Sequence, residues 1–256
     1  MIKALQTIQK QEKEDFSIPR NIQQVIPVQR IWTNGIFLVG KNKYALTYKF
    51  SDINYAVASK EDKEAMFLDY SELLNSFDSG ATTKITVALR RINKKDFENE
   101  ILMPLKNDSL DIYRKEYNQM LLDKAIGSNG MVREIYLTVS VVKKNYEEAK
   151  NYFRRIGNDI VSHLSKLGSK CIELDAKEKL RILHDFYRIG EEVNYNLDIK
   201  DLMKKGHNFK DYICPDGFSF KSDYFEMGKK FGIVLFLKDY ASYIKDSFIA
   251  ELTDMN

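Results

Sequence analysis

The sequence predicts an α+β fold in which a mixed, largely antiparallel sheet is packed with amphipathic helices. Three observations carry this reading. Thr33-Asn34-Gly35 and Gly40-Lys41-Asn42 supply the turn chemistry of tight hairpins between short apolar segments. Apolar residues recur with period two over residues 43–50, 82–92 and 131–142, as half-buried strands require. Between these runs lie segments with apolar residues every three or four positions, opened by capping residues. Strands and helices therefore interleave while hairpins stay frequent, which is the α+β pattern.

Taken in order, residues 1–24 are rich in Gln and Lys, with Ile2, Leu5 and Ile8 on one face at helical spacing. They read as an arm whose ordinary state by composition is a disordered tail. Strands are expected at Ile26–Trp32, Ile36–Val39 and Lys43–Phe50. Ser59, with Asp62 three positions on, caps a helix whose inner face is Met66, Tyr70, Leu73, Leu74 and Phe77. Thr82–Ile92 returns to strand with Ile85, Val87 and Leu89 inward. A helix from Asp108 or Ser109 to Gly127 turns Leu110, Tyr113, Tyr117, Leu121 and Ala125 to one side, and Met131–Val142 is the next strand, with Ile135, Leu137, Val139 and Val141 aligned.

The longest helix follows Asn145 and Glu148 and carries Ala149, Phe153, Ile156, Ile160, Leu164 and Leu167 up to Gly168. A short strand at 170–174 precedes a helix from Asp175, with Leu180, Leu183 and Tyr187 inward and Gly190 as its stop. Residues 191–216 are irregular, with one helical turn at 199–204. Aromatic strands around Phe218–Phe220 and Tyr224–Met227 lead to Gly232–Leu237, which reads as the one strongly buried strand, and a last helix spans 239–254 with Ala241, Ile244, Phe248 and Leu252 on one face. The domain organisation expected is an arm at 1–24 and a single α+β domain at 25–256, with 190–216 as the place where two subdomains would divide.

Composition bounds the function. The 40 Lys+Arg stand against 37 Asp+Glu, for a net +3, too small to predict a nucleic-acid groove from charge alone. The two cysteines, Cys171 and Cys214, have neither zinc-site nor disulfide-framework spacing, which suits a reducing compartment. The longest apolar run, Ile233–Leu237, is far short of the roughly 20 residues that span a bilayer. No targeting signal opens the chain.

No catalytic constellation stands up to its own chemistry. Gly35 and Gly40-Lys41 have part of the spacing of a phosphate loop, but Asn42 replaces the hydroxyl that holds Mg²⁺ and the context is a hairpin. His184-Asp185 has the form of a metal-phosphohydrolase pair, yet the chain has only three histidines, and His184 reads as structural. A cryptic metal-dependent hydrolase using His184 and Asp185 is thus the least favoured of three expectations. Cys214, before Pro215, reads as a small buried hydrophobe. Glu191, Glu192 and Asp198, and the clusters Arg90-Arg91 with Lys94-Lys95 and Lys229-Lys230, read as solvated faces.

Seven segments together point further. Phe50-Ser-Asp-Ile-Asn-Tyr, Glu61-Asp-Lys-Glu-Ala-Met-Phe, Leu73-Leu-Asn-Ser-Phe-Asp, Tyr113-Arg-Lys-Glu-Tyr-Asn-Gln-Met-Leu, Leu183-His-Asp-Phe-Tyr-Arg-Ile-Gly-Glu-Glu, Lys210-Asp-Tyr-Ile-Cys-Pro-Asp and Phe225-x-Met-Gly-x-Lys-Phe-Gly occur in an order and spacing that resembles the amino-terminal region of the conjugal-transfer ATPases of type IV secretion systems. The nearest branch is that of Gram-positive conjugative elements, and the resemblance runs from Ile18 to the end.

The resemblance implies a non-catalytic assembly domain. It would link a RecA-like motor to the membrane components of the secretion channel and to neighbouring ATPase subunits, as a homo-oligomer in full-length form, during conjugative DNA transfer. It implies a cytoplasmic location, peripheral at the inner face of the membrane. ATP and Mg²⁺ belong to the motor, whose Walker A and B motifs have no counterpart here; no catalytic, cofactor or metal residue carries over, and the last helix is expected to lead toward that motor. Ile2, Leu5, Ile8, Lys229 and Lys230 are the expected partner-binding residues. The alternative expectation is a nucleic-acid-binding module on the DNA transfer path.

Overall fold

The computed structural model describes residues 19–53, 55, 57–91, 102–127, 131–192, 195, 197, 208–236 and 243. Among them the fold is α+β, with two antiparallel sheets. The expectations at Ile2, Leu5 and Ile8, at Lys94-Lys95 and Asp198, for a turn at 199–204 and for the helix at 239–254 lie outside the described residues.

In chain order the elements are α1 (Ile22–Val25), β1 (Arg30–Ile31), β2 (Phe37–Gly40), β3 (Lys43–Phe50), α2 (Lys60–Asn75), β4 (Ala81–Arg91), α3 (Asp111–Gly127), β5 (Met131–Val142), α4 (Tyr146–Lys166), β6 (Cys171–Glu173), α5 (Ala176–Tyr187), α6 (Phe209–Ile213), β7 (Phe218–Phe220), β8 (Phe225–Met227) and β9 (Lys230–Gly232). The larger sheet has the order β1-β2-β3-β5-β4, with β6 also on β3; the smaller is β7-β8-β9. The chain divides into two compact units, one of residues 1–86, 135–182 and 197–214 and one of residues 87–134, 183–196 and 215–256.

In the first unit β3 organises the packing. Along its whole length it pairs antiparallel with β5, from Lys43 opposite Val142 to Phe50 opposite Ile135. Its other edge takes β2 at Tyr44 and Ala45, and β6 at Tyr48, Lys49 and Phe50. Helix α4 covers the sheet because its sequence places Ala149, Phe153, Ile156, Ile160 and Leu164 on one stripe, all of them buried, against Leu46, Tyr48, Leu137, Val139 and Val141. Its start is fixed by the Asn145 side chain, which accepts from the Glu148 N–H. Ser59 does the same for α2 through the Asp62 N–H, and α2 adds Leu73 to the core.

In the first unit two glycines are sterically required. Gly35 sits at φ +80°, and a Cβ there would lie 1.9 Å from the Leu174 carbonyl oxygen, so the hairpin turn passes against the backbone ahead of α5 only because no side chain intervenes. A Cβ on Gly157 would come within 2.9 Å of the Tyr48 hydroxyl, so the helix approaches β3 closely at that point.

The structure corrects several expectations. Of the strand proposed at Ile26–Trp32 only Arg30–Ile31, β1, is strand, and a turn of helix, α1, ends at Val25 just before it. Pro27, with no N–H to give a ladder, keeps the segment from pairing throughout. On β4, of the residues expected inward, Val87 is half-buried but Ile85 and Leu89 are 46% and 36% exposed; Thr86, Ala88 and Arg90 are half-buried as well. The strand is at the sheet edge, and Arg90 is drawn in by an acidic partner described below. Gly232–Leu237 is not a buried strand: β9 ends at Gly232, and Ile233, Val234, Leu235 and Phe236 are 65–84% exposed. Its partner is too short, because β8 begins at Phe225 and the chain before it turns, Lys221 N–H donating to the Tyr224 carbonyl.

Gly35→Ala is expected to lower stability by roughly 2–4 kcal/mol, since it adds both a φ > 0 penalty and a backbone clash. Thermal unfolding followed by circular dichroism should show a Tm lower by at least about 5 °C; an unchanged Tm would mean that the approach to Leu174 is not close.

Candidate interaction surface

The second unit combines buried charge with exposed apolar surface. Arg90, at the end of β4, donates from Nε to Glu134 Oε2 at 2.7 Å and from Nη2 to Glu134 Oε1 at 3.2 Å, a two-point contact with the start of β5. Its Nη1 lies 3.6 Å from Asp185 Oδ2 on α5, and Asp185 Oδ1 is 3.3 Å from His184 Nδ1. The Tyr195 ring lies 5.1 Å from that of His184. Glu134, His184 and Asp185 are all buried.

Within this cluster His184 Nδ1 faces Asp185, and Asp185 also faces Arg90, so both side chains are packed inside the unit. Among the described residues no group of three or more His, Cys, Asp or Glu is placed to hold a metal ion. Arg90, grouped above with solvated bases, is instead part of a buried ion-pair network. The signal that could have found it is Glu134, a carboxylate inside the alternating run of β5, where an unpartnered charge would be costly.

The other segments of interest also resolve. Gly35 to Asn42 is a hairpin, with Gly40 closing β2 and Asn42 at φ 56°. Cys214 is buried, as expected, and Cys171 is half-buried on β6 with its thiol pushed up to about 11 by burial and then by the Glu173 carboxylate, so it stays protonated at neutral pH. Glu191 accepts from Arg188 Nε at 2.7 Å, and Glu192 accepts from the Gly190 N–H at 2.8 Å.

Lys229 and Lys230 are exposed at the turn from β8 to β9. They line a cleft of about 190 Å³ with Arg188, Gly190, Asp216 and Gly228 among its other walls. Arg188 is held there by Glu191 and by Asp216, at 3.4 Å from Nη2. The cleft therefore carries charges of both signs.

Helix α3 departs most from its expected packing. Asp108 accepts from the Leu110 N–H, and Asp111 accepts from the N–H groups of Lys106 and Asn107, so the helix starts at Asp111 after a carboxylate-stapled turn. Arg114 bridges both carboxylates. The Arg114 guanidinium first, and the Leu110 N–H, hold Asp108 below the usual carboxylate range; the Lys106 N–H first, with Arg114, does the same for Asp111. Beyond this start much of the face expected to be core is open: Leu110 is 54% exposed, Tyr113 68% and Tyr117 44%, while Leu121 is half-buried. Met120, 43% exposed, extends the open surface, and Leu110, Tyr113, Tyr117 and Met120 are spaced by three, four and three residues like the seam of a packing helix.

No family model matches the chain, and no curated protein matches it. No described helix is long and apolar enough to cross a membrane.

Two outcomes follow. Arg90→Leu should cost roughly 3 kcal/mol, because it removes a two-point partner from a buried carboxylate; urea unfolding with an unchanged midpoint would show that the contact carries no net stability. Since both Asp108 and Asp111 are lowered in the folded state, the stability they lend is present above the ordinary carboxylate pKa and lost as pH falls through the folded value. Amide protection factors at Lys106, Asn107 and Leu110 should therefore fall below about pH 4, ahead of those of amides in β3.

Proposed function

We propose that this chain is a non-catalytic docking domain of a conjugal-transfer ATPase of a type IV secretion system, of the branch carried by Gram-positive conjugative elements. It attaches the motor to the membrane components of the channel, at the inner face of the membrane, and contributes to assembly with neighbouring subunits. ATP and Mg²⁺ belong to the motor in this reading.

The observation that carries it is the open face of α3. Leu110, Tyr113, Tyr117 and Met120 present a long apolar seam to solvent, and such a face marks a site where another protein packs. Tyr113 and Tyr117 also lie in one of the seven segments that resemble the family. The chemistry of the buried cluster supports the same reading, since Arg90, Glu134 and Asp185 are engaged with one another rather than aimed into a cleft. Tyrosines suit such an interface, because they supply large contact area with a polar tip at small entropic cost.

The test is association of the purified chain with the detergent-solubilised membrane components of a Gram-positive conjugation channel. Tyr113→Asp with Tyr117→Asp should weaken that association by at least about 10-fold while leaving Tm unchanged, since both side chains are exposed. The chain incubated with ATP and Mg²⁺ should release no phosphate. Binding indifferent to the pair of substitutions would remove α3 from the interface, and ATP turnover abolished by a single substitution in this chain would sink the reading.

A further inference from the structure

The run after β9 is exposed in a way that restricts what can cover it. Phe231 is 76% exposed, Ile233 65%, Val234 75%, Leu235 84% and Phe236 81%. Four consecutive residues cannot all lie on one face of the chain, whether strand-like or helical, so apolar groups here face solvent on more than one side. A strand added at the edge of β9 would satisfy backbone groups and leave these side chains wet. A medium that surrounds the segment would cover them all.

The charges near the run fit such a medium. Lys229 and Lys230 precede it directly and are exposed, and Lys221 is exposed at the end of β7. Asp223 and Glu226 oppose them, so the local excess is one positive charge over residues 221–236. The aromatic residues Phe220, at the end of β7, and Tyr224, just before β8, are 65% and 42% exposed, and the Tyr224 and Phe231 rings meet edge to face at 5.8 Å. Consecutive exposed apolar residues with aromatics and lysines beside them are the composition of a segment that enters the headgroup layer of a membrane. The short run cannot span it, and the modest charge excess makes apolar insertion the main contribution and anionic lipid a secondary one.

We infer that Phe231 and Ile233–Phe236 insert into the interfacial layer of an anionic lipid bilayer, with Lys229 and Lys230 at the headgroups. This goes beyond docking through α3 and rests on a different set of residues. The backbone at Gly232 supports the presentation of the run, because the Phe225 ring occupies the place a Cβ would take, 2.2 Å away, and so packs directly over the chain where β9 ends.

The experiment is flotation of the full chain with vesicles of phosphatidylcholine containing about 30% phosphatidylglycerol, compared with pure phosphatidylcholine. The chain should float with the mixed vesicles and less with the neutral ones. Leu235→Asp should reduce flotation by at least about 10-fold, and Lys229→Glu with Lys230→Glu should reduce it a few-fold and flatten its salt dependence. In Phe236→Trp, the indole emission should move to shorter wavelength on adding vesicles. All these side chains are exposed, so circular dichroism should be unchanged. Failure of the full chain to float, or flotation indifferent to Leu235→Asp, overturns the inference. So does a concentration-dependent dimer, seen without vesicles and abolished by Leu235→Asp, which would assign the run to a second copy of the chain. Tyr113→Asp with Tyr117→Asp should leave flotation intact, so loss of channel binding and loss of lipid binding are read separately.

Discussion

Pairing of β3 along both of its edges is the constraint on which the first unit depends. A strand hydrogen-bonded on two sides has no freedom of register, and here β5 fixes all eight of its residues while β2 and β6 share the opposite edge. A slip of one residue would turn Tyr44, Leu46 and Tyr48 away from α4. Tyr48 shows how tightly this is set: its ring is fully buried, Gly157 leaves the room its hydroxyl needs, and burial followed by the Glu173 charge holds the phenol well above its usual pKa. The hydroxyl thus stays neutral, so the close approach of helix and strand brings no buried charge there.

That unit was largely legible in the sequence because two independent signals agree in it. The period-two runs gave β3 and β5 with the boundaries observed, and the stripe on α4 named residues that are all buried. Ser59 and Asn145 marked helix starts through the hydrogen bond that defines an N-cap. Short elements lack this redundancy. Helix α6 has only five residues, too few for a periodicity, and its one trace was the Asn208 to Asp211 spacing of a capping box. That helix is tied down by Lys210, whose Nζ donates to the carbonyls of Gln23 and Ile26 at 2.6 and 2.9 Å, a contact across 187 and 184 residues that no local pattern encodes.

The second unit is less legible for a different reason. Hydrophobic periodicity reports which residues a sequence is able to bury, and not whether a partner is present to bury them. On α3 the pattern was found correctly, but Tyr113 and Tyr117 face solvent. At Ile233–Phe236 the same inference failed, because strand propensity cannot act where β8 offers no residue to pair with. The buried cluster was missed in the opposite direction: Arg90, Glu134 and Asp185 come from three elements, and pairing between them is a property of the assembled fold.

The open face of α3, the exposed run after β9 and the buried cluster share a physical origin. A unit that buries carboxylates and a histidine while leaving Leu110, Tyr113, Leu235 and Phe236 in water has inverted the usual assignment of inside and outside. The buried charges offset their desolvation only through the geometry they make together, a two-point Arg90–Glu134 contact with Asp185 beside it. That network confers directional rigidity, which apolar contact does not, and it fastens β4, β5 and α5 to one another without using the apolar surface. The apolar side chains of α3 and of the run after β9 take no part in that network and stay exposed. Under the proposed function this division suits a docking domain, because a binding face has to be exposed before the partner arrives and keep its shape when the partner leaves.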